Sequence, residues 1–194
     1  MHDIYDQLGG NMVHAKAQTV RPKAIKAGIF IRFLASGYDL LIIFGLLFIA
    51  FIPIVIAKQY LGDTPKWLET LLIVTICYAY FAGFWNKAGM TTGMRPWKLQ
   101  VAMIETGDHP NMAAASIRFI ALGLTWIALG ATFFQLNLYL GTGHIDRPLF
   151  ALASIMPALS MVIMILTPQR QALHDLLAGT SVFRVATDQV PKAR

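Results

Sequence analysis

Four long apolar stretches interrupt an otherwise polar chain, and they restrict its fold more than any other feature. They cover about residues 29–57, 67–85, 117–140 and 148–167. A helix needs roughly 20 apolar residues to cross a hydrocarbon core about 30 Å thick. Each stretch reaches about that length, so we predict an all-α membrane protein built as a bundle of about four transmembrane helices.

Composition supports this class over a soluble one. Of 194 residues, 56% are hydrophobic and only 13% are charged, which is too few charges to cover the surface of a soluble domain. The net charge of +6 comes mainly from basic residues in the gaps between apolar stretches. That distribution is typical of membrane topology and contact with anionic lipid. The expected partner is therefore the lipid bilayer, and no motif indicates nucleic acid.

The lysines and arginines also predict the orientation, because cytoplasmic loops carry an excess of them. Twelve would face one side: Lys16, Arg21, Lys23, Lys26, Lys87, Arg95, Lys98, Arg118, Arg170, Arg184, Lys192 and Arg194. Only Lys58, Lys66 and Arg147 would face the other. We therefore expect both the N and the C termini to be cytoplasmic.

Three segments follow from this pattern. Residues 1–28 lack the short apolar core and cleavage site of a secretory signal, so they are expected to be a cytoplasmic N-terminal segment followed by a retained first helix. Residues 29–185 form the transmembrane domain, and residues 186–194 form a C-terminal tail. Partly alternating patterns at 97–104 and 180–185 predict a small cytoplasmic β-pair.

Charged residues within or next to the apolar stretches are the candidate site. Arg32 and Asp39 lie in the first span two helical turns apart, Arg118 opens the third span, and His174 and Asp175 follow the fourth. A charge in a span costs roughly 2.5–3.5 kcal/mol on insertion scales, so it usually faces the protein interior and finds a partner. We predict a cluster of two arginines and two aspartates where helices one, three and four meet.

Two interpretations of this cluster remain open. The ion pairs could simply lock the bundle, or they could form an ion or proton site with Asp39 as the titrating group. His174 could carry protons near neutral pH, or serve as a capping or pairing residue. No nucleophile–base arrangement, cofactor motif or metal-ligand spacing is present, and Cys77 stands alone. The sequence therefore predicts no catalytic residues, no cofactor, no metal and no enzyme.

Several of these segments together resemble the RDD family of bacterial membrane proteins, which is named for an arginine and two aspartates. Arg32 and Asp39 in IRFLASGYD match the first two, and Asp175 in ALHDLLAGT matches the third. The middle stretch GMTTGMR, then LQV, with Gly107 and Arg118, is also similar. The resemblance covers about residues 28–185. The core of that family is usually drawn with three spans or slightly more.

The resemblance implies a multi-pass protein of the bacterial cytoplasmic (inner) membrane. Members of the family are assumed to act in transport, and cation/proton antiport has been proposed for some. The expected function is therefore transport of a cation or small solute, with the Arg/Asp cluster as its site. The alternative is a non-catalytic accessory or assembly subunit of a larger membrane complex. A chain this short without an internal repeat would be expected to transport as a homo-oligomer.

Overall fold

The structure is a computed structural model that describes residues 24–185. Its elements are β1 (Ala24–Lys26), α1 (Ile29–Leu61), α2 (Lys66–Ala88), a short 3₁₀ helix (Arg95–Trp97), β2 (Leu99–Met103), α3 (Met112–Thr142), α4 (Arg147–Leu166), α5 (Leu173–Leu177) and β3 (Thr180–Val185). Most of the predicted N-terminal segment, residues 1–23, and the predicted tail, residues 186–194, lie outside the described residues.

The four predicted spans are confirmed as α1 to α4, each long and apolar enough to cross a membrane. Polar caps define where the later helices begin. The Asn111 side chain accepts a hydrogen bond from the backbone N–H of Ala114 at 2.8 Å, and Asp146 accepts one from Leu149 at 3.1 Å. Such caps satisfy backbone donors that the first helical turn leaves free. At α1, 33 residues give a helix of about 50 Å, longer than the hydrocarbon core.

The three strands form one small antiparallel sheet in the order β1-β3-β2. Leu99 pairs with Arg184 and Met103 with Thr180, which confirms the predicted pairing of the middle loop with the C-terminal stretch. On the other edge Ala24 pairs with Val185. Strand β1 was not predicted, because three residues are too few for an alternating pattern. The sheet thus gathers the start of α1, the loop between α2 and α3, and the end of the described chain at one end of the bundle.

This end, here called the sheet end, also holds the hydrophobic core. Its buried members are Ala27, Ala35, Ala82, Trp85, Met94, Leu99, Val101, Ala115 and Val182. Away from the sheet end the helices bury little of their surface: within the apolar windows of α1 to α4, between 6% and 17% of residues are buried. The apolar surface left open is what a span presents to lipid.

Candidate functional site

Asp175 is the centre of a buried ion-pair cluster at the sheet end. It is fully buried, and each of its carboxylate oxygens meets a different arginine. Arg32 Nη2 on α1 donates to Oδ2 at 2.9 Å, and Arg118 Nη1 on α3 pairs with Oδ1. One carboxylate on α5 therefore joins the first and third spans.

The short helix α5 holds this carboxylate in position. Asp175 is the third residue of α5, and its Oδ2 also accepts a hydrogen bond from the backbone N–H of Ala172 at 3.2 Å. A carboxylate that reaches back to the N-cap in this way satisfies a free backbone donor. Thr180, at the start of β3, donates from its hydroxyl to the Asp175 carbonyl at 3.3 Å. These local hydrogen bonds thus hold Asp175 in position independently of the two arginines.

Both arginines have further contacts that orient them. Arg32 Nη1 donates to the carbonyl of Arg170 at 2.6 Å. Arg118 Nη1 donates to the Thr180 hydroxyl at 2.9 Å, and its guanidinium lies 4.7 Å from the ring centroid of Trp85, a cation–π contact. The Nε atom of each arginine is buried and has no hydrogen-bond partner within residues 24–185.

The charges of this cluster decide its protonation states. Burial acts to raise the pKa of Asp175, but the positive charges led by Arg118 outweigh it and lower the pKa to about 2. Burial lowers the pKa of His174 to about 4, although Asp175 opposes this effect. At neutral pH Asp175 is therefore ionised and His174 neutral. His174 Nε2 lies 3.6 Å from Asp175 Oδ1, too far for a hydrogen bond.

Asp39 occupies a separate buried site two turns farther along α1. It accepts hydrogen bonds from the Tyr80 hydroxyl at 2.6 Å, the Thr91 hydroxyl at 2.6 Å and the backbone N–H of Gly93 at 2.9 Å. All three donors are uncharged. No salt bridge to Asp39 occurs among residues 24–185. The sequence placed Asp39 in one cluster with the arginines, whereas its contacts attach α1 to α2 and to the loop that follows it.

The structure thus brings together four of the five predicted site residues, Arg32, Arg118, His174 and Asp175, and holds Asp39 through other partners. The residues that sequence reasoning missed are Tyr80, Trp85, Thr91, Gly93, Arg170 and Thr180. Thr91 and Gly93 lie in GMTTGMR, a stretch that the sequence singled out only as a turn and for its resemblance. Nothing in the sequence marked Tyr80 as a site residue, since aromatic residues are common in spanning helices.

A cavity of about 300 Å³ connects the two sites, with walls from all four spanning helices. Arg32, Asp39, Arg118 and His174 line its polar part. The rest of the lining is mostly apolar and includes Leu122, Trp126, Leu129, Pro157 and Met161. This volume lies at the lower end of the range for small-molecule pockets. No group of three or more histidine, cysteine, aspartate or glutamate residues suited to a metal ion was found in the described part of the chain.

The sequence that carries these features matches a known family. The RDD family model matches residues 26–179, which include all five predicted site residues. The chain belongs to the RDD family. The resemblance drawn from the motifs is thereby confirmed. No curated protein and no solved structure matches the chain.

Proposed function

We propose that this RDD-family protein transports a small solute or cation across the bacterial cytoplasmic membrane, and that Asp39 binds the coupled cation or proton. The observation that carries the proposal is a buried carboxylate on the wall of a cavity, held by three uncharged donors and by no salt bridge within residues 24–185. A carboxylate in a membrane interior is costly unless a cation or proton accompanies it.

The two aspartates differ in a way that favours Asp39 for this role. Asp175 already has two arginine partners, and the low pKa that they give it leaves it ionised over the physiological range. It therefore serves to join α1, α3 and α5. Asp39 has hydrogen-bond donors but no salt-bridge partner within the part of the chain that the structure describes, so a mobile cation can fill that position.

The test is proton and cation flux in liposomes that contain a pH-sensitive dye. Sodium, potassium and lithium gradients are applied in turn to the wild type, to Asp39→Asn and to Asp63→Asn, whose carboxylate is exposed in the loop between α1 and α2. We expect cation-dependent proton movement by the wild type and by Asp63→Asn, and none by Asp39→Asn. Equal flux through Asp39→Asn would contradict the role given to Asp39.

The second candidate is an accessory or assembly subunit of a larger membrane complex. The observation that favours it is the small fraction of the spanning helices that is buried, which leaves wide apolar faces open to a partner helix as well as to lipid. It predicts a stable partner that copurifies in mild detergent. Silence in all flux assays together with such a partner would select this function.

A further inference from the structure

The cavity differs at its two ends, and this difference indicates what it binds. At the sheet end it is lined by Arg32, Asp39, Arg118 and His174. Toward the middle of the bundle it is lined by Leu122, Leu129 and Met161. A ligand that fits both ends has a charged or polar group at one end and an apolar chain at the other.

The sign of the ligand charge follows from the bonds already made. Asp175 has no exposed surface and lies behind the arginines, so two guanidinium groups share one carboxylate. The carboxylate of Asp39 already accepts three hydrogen bonds. The buried Nε atoms of Arg32 and Arg118 still lack acceptors among residues 24–185. A buried donor left without a partner is destabilising, and an anionic group that enters the cavity would supply the missing acceptor after a small side-chain shift.

The arrangement of the walls indicates how an apolar chain would enter. Three lining residues from three helices are also exposed on the outside of the bundle: Phe33 on α1, Trp126 on α3 and Met161 on α4. The cavity therefore reaches the surface that the spanning helices present to lipid. A volume of about 300 Å³ holds a head group and the first part of an alkyl chain, and the remainder can extend through this opening.

We infer that the cavity binds an amphipathic anion, with its head group at Arg118 and Arg32 and its alkyl chain along Leu122, Trp126 and Leu129. The binding of this anion does not depend on the proposed transport function. That the anion is the transported solute does rest on it. The same chemistry is found in a free single-chain anion and in an anionic phospholipid.

The binding test uses the full chain in nanodiscs of zwitterionic phosphatidylcholine. The probe is an alkyl sulfonate with bromine at the end of its chain, since bromine quenches tryptophan fluorescence and Trp126 lines the cavity. The matched probe has the same brominated chain and a trimethylammonium head group. We expect saturable quenching by the sulfonate and only weak, unsaturable quenching by the cation. Equal quenching by both probes would overturn the inference.

Two adjacent substitutions locate the binding. Thr125→Phe places a ring in the cavity, whereas Leu124→Phe enlarges a neighbouring exposed side chain that does not line it. Neither touches the ion pairs, so both variants are expected to fold. We expect Thr125→Phe to weaken sulfonate binding about tenfold or more and Leu124→Phe to leave it unchanged. Undiminished binding by Thr125→Phe would place the probe elsewhere and overturn the inference.

Repeating the titration in nanodiscs that contain phosphatidylglycerol separates the two sources. Competition by this lipid would identify an anionic phospholipid as the ligand. If the lipid does not compete, the ligand is a free single-chain anion. Both results keep an amphipathic anion in the cavity. Saturable binding without flux in any liposome assay would support the site and contradict the transport function. Flux without binding would contradict the site alone.

Discussion

Asp175 and Asp39 are both buried carboxylates at the sheet end, but different partners hold them. Asp175 is neutralised by two arginines, and removal of one member of such a buried pair typically costs several kcal/mol. Asp39 depends on two hydroxyl groups and one backbone N–H. Asp175 is therefore held by charge pairing, whereas Asp39 is held by uncharged hydrogen-bond donors.

The protonation of His174 predicts how stability depends on pH. Its pKa falls from the ordinary histidine value of 6.5 to about 4 in the fold, so the unfolded chain binds more protons between these values. This contribution to stability is complete above pH 6.5 and is lost as pH falls toward 4, at a cost of about 3 kcal/mol. Asp175, with a pKa of about 2, adds a further loss only at lower pH.

The measurement is the melting temperature of the purified protein between pH 7.5 and about 4. We expect His174→Gln to flatten the decline over this range. The exposed His144, changed to Gln, provides the matched control and should leave the decline intact. A decline that persists in His174→Gln would contradict the assignment.

Gly93 allows the closest approach between α1 and the loop that follows α2. A Cβ atom there would lie 2.6 Å from the carbonyl oxygen of Ala35 and 2.7 Å from the carboxylate of Asp39. We therefore expect Gly93→Ala to separate the loop from α1, to lower stability by about 1–3 kcal/mol and to reduce flux with it. Gly37, on the same helix as Asp39, has nothing within 4 Å of a Cβ, so Gly37→Ala should unfold at the wild-type temperature or slightly above it.

The charged residues of the site could be predicted from sequence, whereas most of their partners could not. Arg32, Arg118 and Asp175 are conspicuous because charges near spans need counter-charges. Tyr80 and Thr91 are common residues whose role becomes visible only when α1 and α2 are placed side by side. The same reason explains why Asp39 was assigned to the arginines: opposite charges are the simplest partners when distances are unknown.

At the scale of elements, α5 and β3 fasten the sheet to the bundle through Thr180. Its buried hydroxyl accepts from Arg118 and donates to the carbonyl of Asp175. We expect Thr180→Val, which keeps the shape but removes the hydroxyl, to lower the free energy of unfolding by about 1–3 kcal/mol. Thr180→Ser should restore most of it. Chemical denaturation in detergent would measure both, and equal destabilisation by the two variants would exclude the hydrogen bonds as the cause.

Helices and strands differed in how well sequence predicted them. The spanning helices were found because a run of apolar residues is a long and strong signal, and their observed ends differ from the predicted ones by only a few residues. The β2–β3 pair has enough residues for a partial alternation. Strand β1 has three, so only its pairing with β3 reveals it.

At the scale of the whole molecule, the sheet requires that three separate segments lie on one side of the membrane. The side itself is still a prediction from the distribution of lysines and arginines. In a Cys77→Ala background, a cysteine at Glu105 marks the sheet end and one at His144 marks the opposite end. We expect a membrane-impermeant maleimide to label the His144→Cys protein from outside the cell. Labelling of Glu105→Cys from that side would reverse the orientation.

The cavity is the feature of the whole molecule that sequence could not reveal. Leu122, Trp126 and Leu129 are residue types that occur in any spanning helix, so nothing in the sequence marks them as cavity residues. Whether they face lipid, another helix or an internal space depends on how α1 lies against α3 and α4. The charged residues at the polar end of the cavity could be predicted from the sequence, whereas the cavity volume depends on how the helices pack.

Strand β3, the central strand of the sheet, is the last of the three strands to be synthesised. Arg32 leaves the ribosome 143 residues before its partner Asp175. At about 5–20 residues per second, this delay is about 7–30 seconds. During that time α1 enters the membrane with an unpaired arginine and without the sheet that will hold its start. A nascent chain that stops before Asp175 would therefore be inserted but unfinished, with unpaired membrane charges that a quality-control protease could recognise.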